Sequence, residues 1–121
     1  MGLDNYFCKD AIIIEEIEWP DTHLCGGLLS GGFGSFRGKV YDDYVEKITG
    51  KSLYEDSIDT NSVREMGRKL RDHVQQLEHD LVSDDEEIHI GTFNITMKEA
   101  KDLATLFEFA ASHEMELIAW Y

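Results

Sequence analysis

A chain of 121 residues that is 42% apolar and contains one proline is the size of one domain and has material for a packed core. Its net charge of −14 argues against direct binding to nucleic acid or to an anionic membrane surface. No apolar run approaches the ~20 residues needed to span a bilayer, and "MGLDNYFCKD" lacks the basic-then-apolar pattern of a signal peptide.

The expectation is therefore one cytoplasmic domain over residues 1–121, with Cys8 and Cys25 as reduced thiols. "LDNYF" predicts a short strand, because aromatic residues suit a pleated surface. "AIIIEEIEW" predicts a second, β-branched and stopped at Pro20. Residues 25–39, "CGGLLSGGFGSFRGK", hold six of the ten glycines and predict a loop. "GKVYDDYVEKITG" predicts a helix that begins near Arg37 or Gly38. Val40, Tyr41, Tyr44, Val45 and Ile48 share one face of it, and Gly50 stops it.

"KSLYEDSIDTN" predicts a connector. Ser62 and Glu65 have the spacing of a capping box at the start of a longer helix. Its apolar stripe runs through Val63, Met66, Leu70, Val74, Leu77 and Leu81. Gly67 interrupts this helix and predicts a close approach of another backbone. "SDDEE" is a charged loop, and "EIHIGTFNI" alternates well enough for a strand or an extended lead-in. Thr96 and Glu99 repeat the capping-box spacing, followed by a helix face of Met97, Ala100, Leu103, Ala104, Phe107, Ala110 and Ala111. "MELIAWY" predicts a closing strand. Strands near both ends would pair in one small antiparallel sheet packed against about three helices, an α+β domain. The apolar stripes suit a monomer core and a homodimer interface equally.

Charge is distributed unevenly. Residues 24–54 carry a net +1, against −5 for residues 1–23, −7 for 55–95 and −3 for 96–121. The glycine-rich region is thus the only stretch that is not acidic. Glycine amides can converge on an anion, and a helix N-terminus adds free N–H groups and partial positive charge. Gly31, Gly32, Gly34, Ser35, Arg37 and Lys39 are the candidate ligand-binding residues, with Tyr41 to stack a ring. The spacing is neither a P-loop nor a dinucleotide fingerprint.

The expected function is a non-enzymatic binding protein that holds a small anionic, phosphate-bearing ligand, with no cofactor and no metal. An alternative is an acidic interaction protein or nucleic-acid mimic that engages a basic protein partner. A third is a thiol enzyme. His23 and Cys25 are two residues apart before the loop, where extended chain puts both on one side and glycine amides could serve as an oxyanion hole. Zinc at Cys8, Cys25 and histidines stays open, though no diagnostic ligand spacing is present. Asp42, Asp43 and Glu46 suggest paired carboxylates, set against the simpler reading of a solvated face. Asp84–Glu87 has no EF-hand pattern around it.

The segments "MGLDNY" and "HLCGGLLSGGFGSFRGKVYDDYVEKITGKSLYED", with an apolar, aromatic-ended last strand, resemble a family of small uncharacterised proteins of bacteria and their phages. The resemblance spans nearly the whole chain and is most specific at "SFRGKVYDD". It implies an accessory protein of a mobile or variable genome and carries over no catalytic residue.

Overall fold

The computed structural model describes residues 3–9, 19–20, 24 and 35–120, the last by its backbone. The strand expected at residues 11–19 lies outside these, apart from Trp19. In chain order the elements are β1 (Asp4–Cys8), β2 (Ser35–Phe36), α1 (Gly38–Thr49), β3 (Ser57–Ile58), α2 (Thr60–His79), β4 (Glu87–Ile88), β5 (Ile95–Thr96), α3 (Met97–Ser112) and β6 (Glu116–Trp120). The fold is α+β, with a four-stranded sheet in the order β2-β1-β6-β3 and a small β4–β5 ribbon.

Every pairing in the four-stranded sheet is antiparallel. β1 and β6 pair over their full length, from Asp4 opposite Trp120 to Cys8 opposite Glu116. Cross-strand partners share a face, so Asn5, Phe7, Phe36, Leu117 and Ile58 point one way. All five are buried. Phe7 meets Phe107 of α3 edge-on, with ring centroids 5.1 Å apart. Asn5 meets the start of α1, where a Cβ on Gly38 would lie 1.7 Å from its Oδ1.

α2 and α3 pack antiparallel. Arg64 reaches the Ala111 carbonyl, Gly67 faces Phe107 and Glu108, and Arg71 binds Thr105 and Glu108. The close approach expected at Gly67 is present: a Cβ there would stand 3.3 Å from both the Phe107 Cβ and the Glu108 amide nitrogen. Glycine weakens α2 locally and in exchange lets the two backbones approach.

Two expectations about α2 need correction. Its N-cap is Asp59, whose carboxylate accepts from the Ser62 amide at 2.8 Å. Ser62 is therefore inside the first turn, and Glu65 pairs with Arg68 instead of closing a box. Asp59 directly follows β3, so it is the first residue able to cap, and its charged oxygen is a stronger acceptor than a hydroxyl. The apolar stripe also stops earlier than expected. Val63, Met66, Leu70 and Val74 are buried and Leu77 is partly so, but Leu81 is 88% exposed. The helix ends at His79, and the chain turns through Leu81 at φ +62°. The Val82 amide bonds the Leu77 carbonyl and the Leu81 amide bonds that of Glu78, which closes the end. The box expected at α3 is complete: Thr96 accepts from the Glu99 amide, and Glu99 accepts from that of Thr96.

A leucine pays a steric penalty in the left-handed conformation, and glycine is the usual residue at that point of a helix end. Leu81→Gly should stabilise the protein by about 1 kcal/mol, seen as a higher urea midpoint at unchanged slope. An unchanged or lower midpoint would show that the Leu81 side chain contributes contacts that offset the strain.

Candidate functional site

The described part of the expected anion site is the segment from β2 into α1. Ser35 and Phe36 pair with Tyr6 and Asn5, which fixes the backbone just before the helix. Arg37 is the N-cap of α1, in extended conformation, and no side chain caps the helix. The first turn holds no acidic residue. By contrast α2 and α3 are capped by Asp59 and by Thr96 with Glu99.

The Arg37 Nε donates to Asp4 Oδ1 at 2.7 Å. This bond holds the guanidinium at its inner edge. Its two terminal nitrogens make no hydrogen bond with a described residue, and the side chain is 47% exposed. Lys39 is exposed in the first turn, while its backbone N–H donates to the Leu3 carbonyl at 3.2 Å. The Val40 N–H donates to the Arg37 carbonyl at 3.1 Å, so two amides of the helix start are satisfied internally.

The other expected residues fare differently. Ser35 is buried. Tyr41 is buried as well, its ring packed on Phe36 at 6.1 Å and its hydroxyl donating to Glu99 Oε2. It offers no open face to a ligand, which removes it from the stacking role the sequence suggested. Gly31, Gly32, Gly34, His23 and Cys25 lie outside the described residues. Cys8 is buried on β1.

"YDDY", residues 41–44, has a structural explanation. Successive residues on a helix point about 100° apart, and these four bind four different parts of the molecule. Tyr41 binds Glu99 of α3. Asp42 Oδ1 accepts from the Leu53 amide at 2.7 Å and from the Ser52 hydroxyl at 3.0 Å. Asp43 Oδ2 accepts from the Thr92 amide at 2.8 Å. The neighbouring Gly91 has φ +81°, and a Cβ there would lie 2.2 Å from that of Asp43. Tyr44 Oη lies 2.7 Å from Nδ1 of His73 on α2. The adjacent carboxylates are thus loop anchors facing apart, neither a catalytic pair nor a bare solvated face.

Among the described residues no group of three or more His, Cys, Asp or Glu is arranged to hold a metal ion. In the acidic segment Lys101 pairs with Asp84 at 2.6 Å and lies 3.9 Å from Glu78. Ser83 binds Asp85 and Glu86. No helix among the described residues is long and apolar enough to cross a membrane. Comparison with protein-family models, curated proteins and solved structures finds no match in any of the three.

His73 is partly buried on α2, and nothing in its sequence neighbourhood announces Tyr44, 29 residues earlier, as its partner. Burial raises the Tyr44 hydroxyl above its ordinary range and lowers His73 below its ordinary 6.5. The folded protein therefore favours neutral His73, whereas the unfolded chain takes up a proton near pH 6.5. Stability should be level above that pH and fall as pH drops below it, toward the lower folded value. Urea unfolding between pH 7.5 and 5.5 checks this, with His73→Gln expected to flatten the slope. A slope unchanged in the variant would assign the loss to other groups.

Proposed function

We propose that the protein is a non-enzymatic binding protein whose glycine-rich loop and α1 N-terminus hold a small anionic, phosphate-bearing ligand. The observation that carries this reading is the state of Arg37. Asp4 holds it through Nε alone, and the terminal nitrogens are left for an incoming oxyanion. A guanidinium oriented in this way loses little freedom when it grips phosphate through two parallel bonds. Lys39, two residues on, adds a second cation, and no acidic residue of the first turn opposes it. Amides of Gly31, Gly32 and Gly34 would complete the cradle.

The test is a thermal-shift titration with inorganic phosphate, pyrophosphate and nucleotides. A ligand at 100 times its Kd stabilises the native state by about 2.7 kcal/mol. Arg37→Ala should abolish that shift while melting as a folded protein. A shift of the same size in the variant, or none in the wild type across the panel, would reject the reading.

One observation favours a second reading, an acidic interaction protein for a basic partner, in keeping with an accessory role in a mobile genome. Asp80, Asp85, Glu86 and Glu87 are exposed and form no ion pair with a described residue. Their field would steer a cationic surface toward them and fade with salt, since the screening length is ~8 Å at physiological ionic strength. Replacing all four by Asn or Gln should weaken capture of a basic nucleic-acid-binding protein at low salt and change little at high salt. Salt-insensitive capture would count against it.

A further inference from the structure

α2 and α3 run antiparallel, so the N-terminal part of α2 lies beside the C-terminal end of α3. Between them is an open cleft of about 400 Å³, lined by Arg64, Arg68, Glu108, Ala111, Ser112 and Glu114. The two walls have opposite electrical character. On the α2 side stand two guanidinium groups, Arg64 in the second turn of the helix and Arg68 one turn further on. On the α3 side stand two carboxylates, Glu108 in the last part of the helix and Glu114 just beyond its end.

These charges differ in how far they are already committed. Arg68 is bound by Glu65 and Asp72, and Glu108 by Arg71. Among the described residues Arg64 has only neutral partners, Asn61 Oδ1 at 3.3 Å and the Ala111 carbonyl at 3.4 Å. The Glu114 carboxylate makes no hydrogen bond or ion pair with a described residue. Arg64 and Glu114 line the same cleft without pairing with each other.

Glu114 is also held in place. Its backbone sits at φ +57°. Its amide bonds the Ala111 carbonyl at 3.0 Å, the Met115 amide bonds that of Ala110 at 3.0 Å, and its own carbonyl accepts from the Thr60 hydroxyl. This ties the end of α3 to the start of α2. Among the described residues the cleft therefore presents one cation and one anion without an ionic partner, on a braced frame, while the Ser112 hydroxyl that also lines it donates to the Phe109 carbonyl.

We propose that this cleft binds a small zwitterion carrying one carboxylate and one ammonium group, of the amino-acid class. The carboxylate lies against Arg64 and the ammonium against Glu114. An ion of either sign alone meets one favourable wall and one repulsive wall. A ligand with both charges satisfies the two together. The site is separate from the α1 N-terminus, so neither proposal depends on the other.

The test is an amide-detected NMR titration of the ¹⁵N-labelled protein with glycine, β-alanine and γ-aminobutyrate. Acetate and methylammonium at equal ionic strength are the singly charged controls. The expected result is saturable shifts at Arg64 and at residues 111–114 for at least one zwitterion, with Kd at or below ~10 mM, and no saturation for the controls. Arg64→Gln and Glu114→Gln, each with a folded spectrum, should weaken binding tenfold or more. Equal, unsaturated responses to zwitterions and controls would overturn the proposal. So would undiminished affinity in both variants.

Discussion

The side chain of Asn5 sets the geometry on which much of the rest depends. It is a fully buried amide in the central strand β1. Its Nδ2 donates to the Leu53 carbonyl at 3.0 Å and to that of Ile118 at 3.3 Å. Its Oδ1 has no hydrogen-bond partner and lies against Gly38. A buried polar group without a partner costs about 1–3 kcal/mol. The two donated bonds and close contact with the glycine Cα–H offset part of this. The amide thereby fixes the connector after α1, the strand β6 and the entry of α1 with one group. Gly38 follows as a steric necessity, because any larger residue would occupy the space of Oδ1.

With its start fixed, α1 distributes that position to the rest of the molecule. Four consecutive side chains reach α3, the 52–53 connector, the turn at Thr92 and α2. The same placement brings Arg37 beside Asp4, since β2 pairs with β1 immediately before the helix. The candidate anion site and the structural hub are therefore two ends of one helix start. The exposed end carries Arg37, held on one edge by Asp4, and the exposed Lys39, and the inward end is closed by Asn5 and Leu3.

Features governed by neighbours in sequence were legible before the structure. The periodicity of α1 and α3, the Thr96–Glu99 box, the Gly50 stop and the need for glycine at position 67 follow from local spacing. The misses share a different cause. Asp59 displaced Ser62 as a cap because β3 ends immediately before it, a fact about tertiary pairing. Tyr41 looked available to a ligand because a sequence does not show that Glu99, 58 residues on, lies within reach of its hydroxyl. Asp42 and Asp43 looked like a pair because adjacency in sequence conceals the turn between successive helical positions. At the candidate site, the loop-to-helix junction and the cations were legible. The Asp4 contact, which holds one edge of Arg37 and leaves the other, was not.

The placement of β6 between β1 and β3 bears on how the chain acquires its structure. The Asn5–Ile118 bond joins residues 113 positions apart, so the centre of the sheet closes the longest loop in the fold. Such contacts form slowly, because the entropy of closure is lost before the contact returns anything. The antiparallel α2–α3 pair closes a shorter loop, with contacts 34 to 47 residues apart, and can assemble first. During synthesis β1 meets β2 about thirty residues later, but its other neighbour, β6, is made more than a hundred residues after it. Until then Phe7 lacks Leu117 across the strand pair, and Phe107 of α3 offers the surface against which β1 and β6 come together.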